Sequence, residues 1–484
     1  MIEITPLLDK LGKNPLFVQL YSYIKEKIEA GIIVRGTKLP SIRQLAEHLK
    51  ISKNTVEAAY QQLLSEGYVE SKGRVGFLVL PLEDMIQDST SAASEAEPSA
   101  SISTVVSSAN SNANSNADSS PEKYKYDFRY GHIEIKRFPM AVWKSCLLDA
   151  LHKESSGVLG YGDPLGEYEL RVEISRYLFQ SRGITCVPEQ IFISSGTQQS
   201  VNFLCQLLPL RGQVVGIENP GYEGVRTVLK NNDCTIMPIS LEADGLNIEE
   251  LYNSNAKAVY VTPSHQFPLG MVLPIQKRMK LLQWANEHES LIIEDDYDSE
   301  FRYLGQPIPS LKALDSGDRV IYTGTFSKSF LPAARLSYTV LPAAIMDRIG
   351  SELQLYSQSV SPILQKAVFL FMNGGHFARH IRKMRRVYQG KHKVFIHAIS
   401  RHLGTKVEII GLKSGLHILL DVKGRTSEAL IEEAKQRQIG VYSPKHHWLN
   451  PEECPRSYLI LGFGGMEEVA IEEGIHLLKE AWGL

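Results

Sequence analysis

Residues 82 to about 120 form a tract of Ser, Ala and Asn that ends in Ser107-Ser-Ala-Asn-Ser-Asn-Ala-Asn-Ser-Asn-Ala-Asp-Ser-Ser120. It holds Glu83, Asp84, Asp88, Glu95, Glu97 and Asp118 and no Lys or Arg, so it lacks the apolar surface for a core and should avoid phosphate backbones. A flexible stretch of about 40 residues has a root-mean-square reach of roughly 35 Å. The chain is therefore expected to fold as two bodies, residues 1–81 and 125–484, on a flexible linker at 82–124. With 484 residues, 43% of them hydrophobic and 22% charged, each body can bury a core. No apolar run reaches the roughly 18–20 residues of a membrane span, and the start Met1-Ile-Glu-Ile-Thr-Pro lacks a signal-peptide pattern. The expectation is a cytoplasmic protein with no membrane partner. Cys146, Cys186, Cys205, Cys234 and Cys454 are scattered without a Cys-x-x-Cys pair, which speaks for reduced core residues and against a disulfide framework or a zinc site.

In the first body, Leu16, Leu20, Ile24 and Ile28 recur at helical spacing up to Gly31. Pro40-Ser41 starts a short second helix and Ile51-Ser52 caps a third, which together read as a helix-turn-helix. Tyr68 to Val79 reads as a β-hairpin wing turning at Gly73-Arg74. A recognition helix needs a capped start with polar or basic side chains at its exposed end, and Ser52, Lys53, Asn54 and Thr55 supply them. Arg43, Lys72 and Arg74 are candidates for neutralising phosphates of double-stranded operator DNA. Residues 1–80 carry 11 Lys/Arg against 8 Asp/Glu, a modest basic excess.

In the second body, helices alternate with β-branched runs such as Val214-Val-Gly-Ile, Ala258-Val-Tyr-Val and Leu291-Ile-Ile-Glu. That alternation predicts an α/β domain with a mostly parallel sheet, followed by a smaller α+β subdomain over roughly 345–484. The run Tyr322-Thr-Gly-Thr-Phe-Ser-Lys328-Ser-Phe-Leu-Pro-Ala-Ala-Arg335 puts a lysine where a pyridoxal phosphate (PLP) aldehyde would be captured. A PLP site needs that lysine, an acid for the pyridine nitrogen, an aromatic wall and phosphate donors. Ser195, Gly196 and Thr197 open a helix after a strand and suit a phosphate. Tyr222 is a candidate stacking wall. Glu294-Asp295-Asp296-Tyr297 ends a strong apolar strand, where an aspartate could pair with the pyridinium and Tyr297 could reach the phenolic oxygen, while Thr325 and Arg335 would complete the phosphate clamp.

Leu39-Pro-Ser-Ile-Arg43 through Ser52-Lys-Asn-Thr-Val-Glu-Ala-Ala-Tyr60, with Glu66-Gly67-Tyr68, resembles the winged helix of the GntR superfamily. Residues 125–484 resemble fold-type I aminotransferases in the motifs above and in Tyr161-Gly-Asp-Pro-Leu-Gly166, Thr262-Pro-Ser-His265-Gln-Phe-Pro-Leu-Gly270 and Ser414-Gly-Leu-His417. The two together resemble the MocR-type regulators. The resemblance implies a Schiff base at Lys328, Asp295 on the pyridinium, Tyr297 on the phenolate, and Thr325 and Arg335 on the phosphate. It also implies a head-to-tail homodimer in which Tyr161 reaches the neighbouring subunit's cofactor. A one-component transcription regulator is expected, sensing PLP or an amine as an aldimine at Lys328; the alternative is a working aminotransferase with an appended DNA-binding domain.

The chain departs from those families in three places. Phe267 stands where aminotransferases carry the asparagine beside the phenolic oxygen, which lowers the expectation of turnover and leaves His265 or Gln266 as substitutes. Gly224 and Gly465 stand where amino-acid-reading relatives place arginines, so a small amino acid in the standard pose loses its carboxylate handle. A larger amine such as the dipeptide D-alanyl-D-alanine, or PLP alone, then becomes the small-molecule effector, with Arg226 as a replacement handle. The basic stretch His376 to Tyr388 reads either as a solvated face or as an auxiliary DNA contact through Arg382 and Arg386.

Overall fold

The computed structural model describes residues 6, 16–34, 36–49, 51–65, 68–72, 76–79, 124–152, 158–303 and 309–484. The expected linker, apart from residue 124, and the expected turn Gly73-Arg74 lie outside them, and of Lys72 only the backbone is described, at the end of a strand.

The N-terminal body has three helices, Leu16–Glu29, Ile42–Leu49 and Lys53–Ser65, then the antiparallel strands β1 (Val69–Lys72) and β2 (Gly76–Val79). Helical spacing drives the first helix together with the third, because Leu20, Ile24 and Ile28 share a core with Val56, Ala59, Tyr60 and Leu63. Side chains start the other two helices. The Ser41 hydroxyl accepts the Gln44 N–H at 3.3 Å while the Gln44 side chain accepts the Ser41 N–H at 3.1 Å, a reciprocal cap. The Ser52 hydroxyl accepts the Thr55 N–H at 3.1 Å. Buried Tyr60 ties the third helix to the turn before the second through its hydroxyl on the Pro40 carbonyl, 2.9 Å away, and meets Phe77 of the hairpin edge-on. This is the winged helix-turn-helix expected from the sequence.

The C-terminal body is built on an eight-stranded sheet. Its strands in chain order are β3 (Ile191–Ser194), β4 (Val214–Asn219), β5 (Thr235–Glu242), β6 (Gly245–Leu246), β7 (Ala258–Val261), β8 (Leu291–Asp296), β9 (Val320–Thr325) and β10 (Ser337–Val340). Their order across the sheet is β3-β10-β9-β8-β7-β4-β5-β6. The middle strands run parallel, and β10 is antiparallel to both of its neighbours. Helices cover both faces, so β7 and the first three residues of β8 read as continuous apolar runs rather than alternating ones. Cofactor sites in such sheets lie beyond the carboxyl ends of the strands. Gly196, Tyr222, Thr262, Asp295 and Lys328 all come from those ends.

A second lobe holds a three-stranded antiparallel sheet, β11 (Val407–Ile410), β12 (His417–Val422) and β13 (Tyr458–Gly462), with β12 in the middle. Its core also takes Tyr126, Phe128 and Ile133 from the start of the body. The lobe boundary differs from the expected residue 345. Ile345, Ile349 and Leu353 pack under the large sheet, and Ala367, Phe371, Phe377 and Ile381 pack against Trp143 on the large lobe. The crossover lies within the helix His376–His402, whose later residues Met384, Tyr388, Phe395 and Ile399 belong to the small-lobe core. Arg382 on that helix is buried, which corrects its reading as part of a solvated or DNA-contacting face; Lys383 and Arg386 are exposed. Four of the five cysteines are buried and all are free. Among the described residues no helix is long and apolar enough to cross a membrane.

Candidate functional site: a cofactor cavity at the strand ends

Strand alternation decides which carboxylate serves the site. Successive residues of β8 point to opposite faces, so Asp295 lines a cavity of about 210 Å³ while Asp296 turns away to Arg182 at 2.7 Å and the Tyr322 hydroxyl at 2.7 Å. One Asp295 oxygen accepts the Tyr260 hydroxyl, and the other, Oδ1, is buried with no hydrogen-bond partner. Burial pushes its carboxyl up to about 7, with Asp296 and Asp298 adding to the rise against the Tyr260 bond. A buried acceptor of this kind needs a donor, and a protonated pyridine nitrogen supplies one together with the charge.

Lys328 lies in the same wall. Its Nζ donates to the Gly131 carbonyl at 3.3 Å and sits 4.5 Å from the centre of the Tyr130 ring. Burial lowers its pKa to about 8, with Asp298 opposing the drop. A larger share of its amine is therefore neutral near pH 8 than for a solvated lysine, and the neutral amine is the form that attacks an aldehyde.

The phosphate end is built from backbone. Gly196 has φ +134, and a Cβ there would stand 2.5 Å from an Arg335 guanidinium nitrogen, so only glycine lets Arg335 close over the start of helix Thr197–Leu207. The free N–H groups at the start of that helix suit an anion. Thr325, with its hydroxyl 3.0 Å from that of Ser327 and 2.9 Å from that of Ser337, completes the cup. Tyr222, Tyr297 and Phe267 supply aromatic walls, with Phe267 edge-on to both tyrosines. The residues present therefore fit PLP: a neutralisable lysine, an unpaired buried carboxylate oxygen, a ring wall and an anion cradle.

Of the sequence candidates, Lys328, Asp295, Tyr297, Tyr222, Gly196, Thr197, Thr325 and Arg335 line one cavity. Ser195 is half-buried outside the wall, and Tyr161 is fully exposed. His265 does not line the cavity; it lies buried behind Tyr297, its Nδ1 3.0 Å from Asp298. Gln266 is also committed elsewhere, donating to the carbonyls of Pro220 and Phe267. Arg226 binds the carbonyls of Trp448 and His446 at 2.9 and 2.7 Å, which removes it as a ligand handle. Sequence reasoning missed Tyr130, Gln198, Thr262 and Ser327 as wall residues. Thr262 opened a motif of the aminotransferase resemblance, and Gln198 and Ser327 stood beside the candidates Thr197 and Lys328; Tyr130 had no signal.

On the N-terminal body, Ser52, Lys53 and Asn54 are exposed at the start of the third helix. The Thr55 hydroxyl lies 2.7 Å from that of Ser52, so both belong to the cap. Arg43 is exposed and paired with Glu47 at 3.0 Å. Among the described residues, two groups have ligand atoms close enough for a metal, Glu223 with His446 and His447, and His265 with Asp298 and His417.

The family model described as aminotransferase class I and II matches residues 127–448, and that of bacterial regulatory proteins, gntR family, matches residues 16–79. The chain is 40% identical to the uncharacterised HTH-type transcriptional regulator YdeL of Bacillus subtilis, over 99% of this chain and 100% of that one. It is 33% identical to the probable rhizopine catabolism regulatory protein MocR of Rhizobium meliloti, over 98% and 95%. The kynurenine aminotransferase of Pyrococcus horikoshii superposes with a TM-score of 0.67 at 25% identity, covering 74% of this chain and 90% of that one.

Proposed function

Since the chain belongs to the MocR-type regulators, in which a gntR-family winged helix is joined to an aminotransferase class I and II domain, we propose that its DNA binding is governed by PLP held at Lys328. The observation that carries this is the cavity joining Lys328, the unpaired Oδ1 of Asp295 and the Gly196–Arg335 cradle. When bound, PLP supplies an aldehyde that condenses reversibly with amines. The protein's part is to present a neutral lysine amine, to hold the ring nitrogen's proton on Asp295, and to fix the phosphate on the helix start beneath Arg335.

Lys328 and Arg335 are the only cations of the described wall, and both are used by the cofactor. This favours PLP itself as the signal, or an amine whose carboxylate lies away from the usual position. Apolar Phe267 at the ring favours a sensor with at most weak transamination over a working aminotransferase. Lys53 and Asn54 would read operator DNA from the start of the third helix, capped by Ser52 and Thr55, with Arg43, Lys72 and Arg74 on the phosphates. Fully exposed Tyr161, with Leu159 and Leu355 at 72% and 86% exposure, supports a homodimer that covers this surface.

The test titrates PLP into the protein while recording the cofactor's visible absorption and operator affinity on the same samples, beside Lys328→Ala. The band should depend on Lys328, and operator affinity should move with it. A band without any change in operator affinity would leave a cofactor protein that is not governed by it.

A further inference from the structure

Behind the cofactor cavity lies a buried polar group that the reading above does not use. His265 and Asp298 are 1% and 2% exposed, and His265 Nδ1 lies 3.1 and 3.0 Å from the two Asp298 oxygens. A carboxylate only accepts, so Asp298 fixes the His265 proton on Nδ1. The same Nδ1 is 2.9 Å from the Tyr297 hydroxyl, and that hydroxyl is 2.9 Å from the His265 carbonyl. Nδ1 carries one hydrogen, which the Asp298 carboxylate and the Tyr297 oxygen share as a three-centre bond, while the Tyr297 hydroxyl donates to the His265 carbonyl. One residue thus offers the tyrosine both a donor and an acceptor. Burial, with Asp298 next, holds the Tyr297 phenol well above its usual range, so it is a neutral hydroxyl. Tyr297 lines the cavity and His265 does not.

We propose that His265, with its tautomer fixed by Asp298, is a positioning residue that holds the Tyr297 hydroxyl toward the cofactor ring, a task left open by the apolar side chain of Phe267. The proposal rests on PLP binding at Lys328. Once an anionic ring oxygen is present, the hydroxyl proton turns from the His265 carbonyl to it, while the Nδ1–H bond keeps the tyrosine oxygen in place. No bond is made or broken. The His265 imidazole is closely confined, since a Cβ on Gly415 would come within 1.9 Å of it. The ionisable groups around Tyr297 are Asp298 and His265, with His417, Tyr130 and Glu218 beyond them and Lys328 and Asp295 across the cavity.

The experiment measures the pH midpoint of the visible band in full-length protein loaded with PLP. Tyr297→Phe removes a hydrogen bond to an anion and should raise the midpoint by about one pH unit. His265→Leu and Asp298→Asn should raise it in the same direction. Combining either with Tyr297→Phe should add little, because they act through that hydroxyl. His265→Asn, whose amide N–H can stand in for Nδ1–H, should recover part of the wild-type midpoint. Thermal melting of the PLP-free variants separates loss of fold, and Asp298→Asn keeps the test open if His265→Leu does not fold. A midpoint unmoved in His265→Leu or Asp298→Asn while Tyr297→Phe moves it overturns the proposal. If wild-type protein shows no band, it is PLP binding that fails.

Discussion

At the scale of single residues, burial acts on Asp295 and Lys328 in opposite directions. It raises the acid to about 7 and lowers the lysine to about 8. In the absence of PLP the folded state therefore binds a proton at Asp295 that the unfolded chain, with its carboxylate at the ordinary 3.8, has already lost. Stability from this group is present below about pH 4 and declines as pH rises to about 7, by up to about 1.4 kcal/mol per pH unit. Asp295→Asn should flatten that part of the pH dependence of melting in PLP-free protein. Equal slopes for the two proteins between pH 4 and 7 would show that Asp295 already has a partner. Wild-type PLP capture should also quicken as pH rises through about 8, well short of the range of a solvated lysine. The sequence made Asp295 and Asp296 equivalent on paper as neighbours at a strand end, and only the direction of the pleat, with Arg182 waiting on the far side, separates them. His265 shows the converse. Its motif marked it as a site residue, but whether it faces the ring or supports Tyr297 depends on Asp298, a contact that no spacing rule reveals.

At the scale of elements, local signals translated well where one helix or strand carries the whole message. The apolar spacing from Leu16 to Ile28 and the caps at Ser41 and Ser52 produced the three N-terminal helices. The helix His376–His402 was less legible because its two halves serve different cores, and its basic residues hid the fact that Arg382 points inward. For the recognition helix, the Ser52–Thr55 cap leaves Asn54 exposed in the first turn, where an amide can pair with an adenine edge. Asn54→Ala should lower operator affinity relative to a scrambled duplex by about 1–3 kcal/mol, with the salt slope of binding unchanged. An equal loss on both duplexes would assign Asn54 to the phosphate backbone instead.

At the scale of the whole molecule, control of DNA binding by a ligand requires that the ligand favour one arrangement of the protein over another. The structure has a contact suited to that coupling, between the corner that carries the cofactor wall and the small lobe. Around Tyr222, the Gly221 N–H donates to the His447 carbonyl at 3.0 Å, Glu223 meets His447 Nδ1 at 2.6 Å, and Arg226 grips the carbonyls of His446 and Trp448. The Asn219 side chain accepts the Leu449 N–H at 2.8 Å. His447 in turn packs edge-on against Phe267 in the cavity wall, 4.6 Å between ring centres. A shift of the small lobe therefore moves the ring wall, and a filled cavity resists that shift. Arg226→Ala removes two of these bonds without touching the cavity. It should leave the PLP band in place, while the ratio of operator affinities with and without saturating PLP falls toward one. Coupling of this kind is typically worth about 1–3 kcal/mol, so a wild-type ratio of roughly 5 to 150 should shrink several-fold in the variant. A variant that kept both the band and the full ratio would show that the signal leaves the cavity by another route, and the Tyr222 corner would then be structural alone.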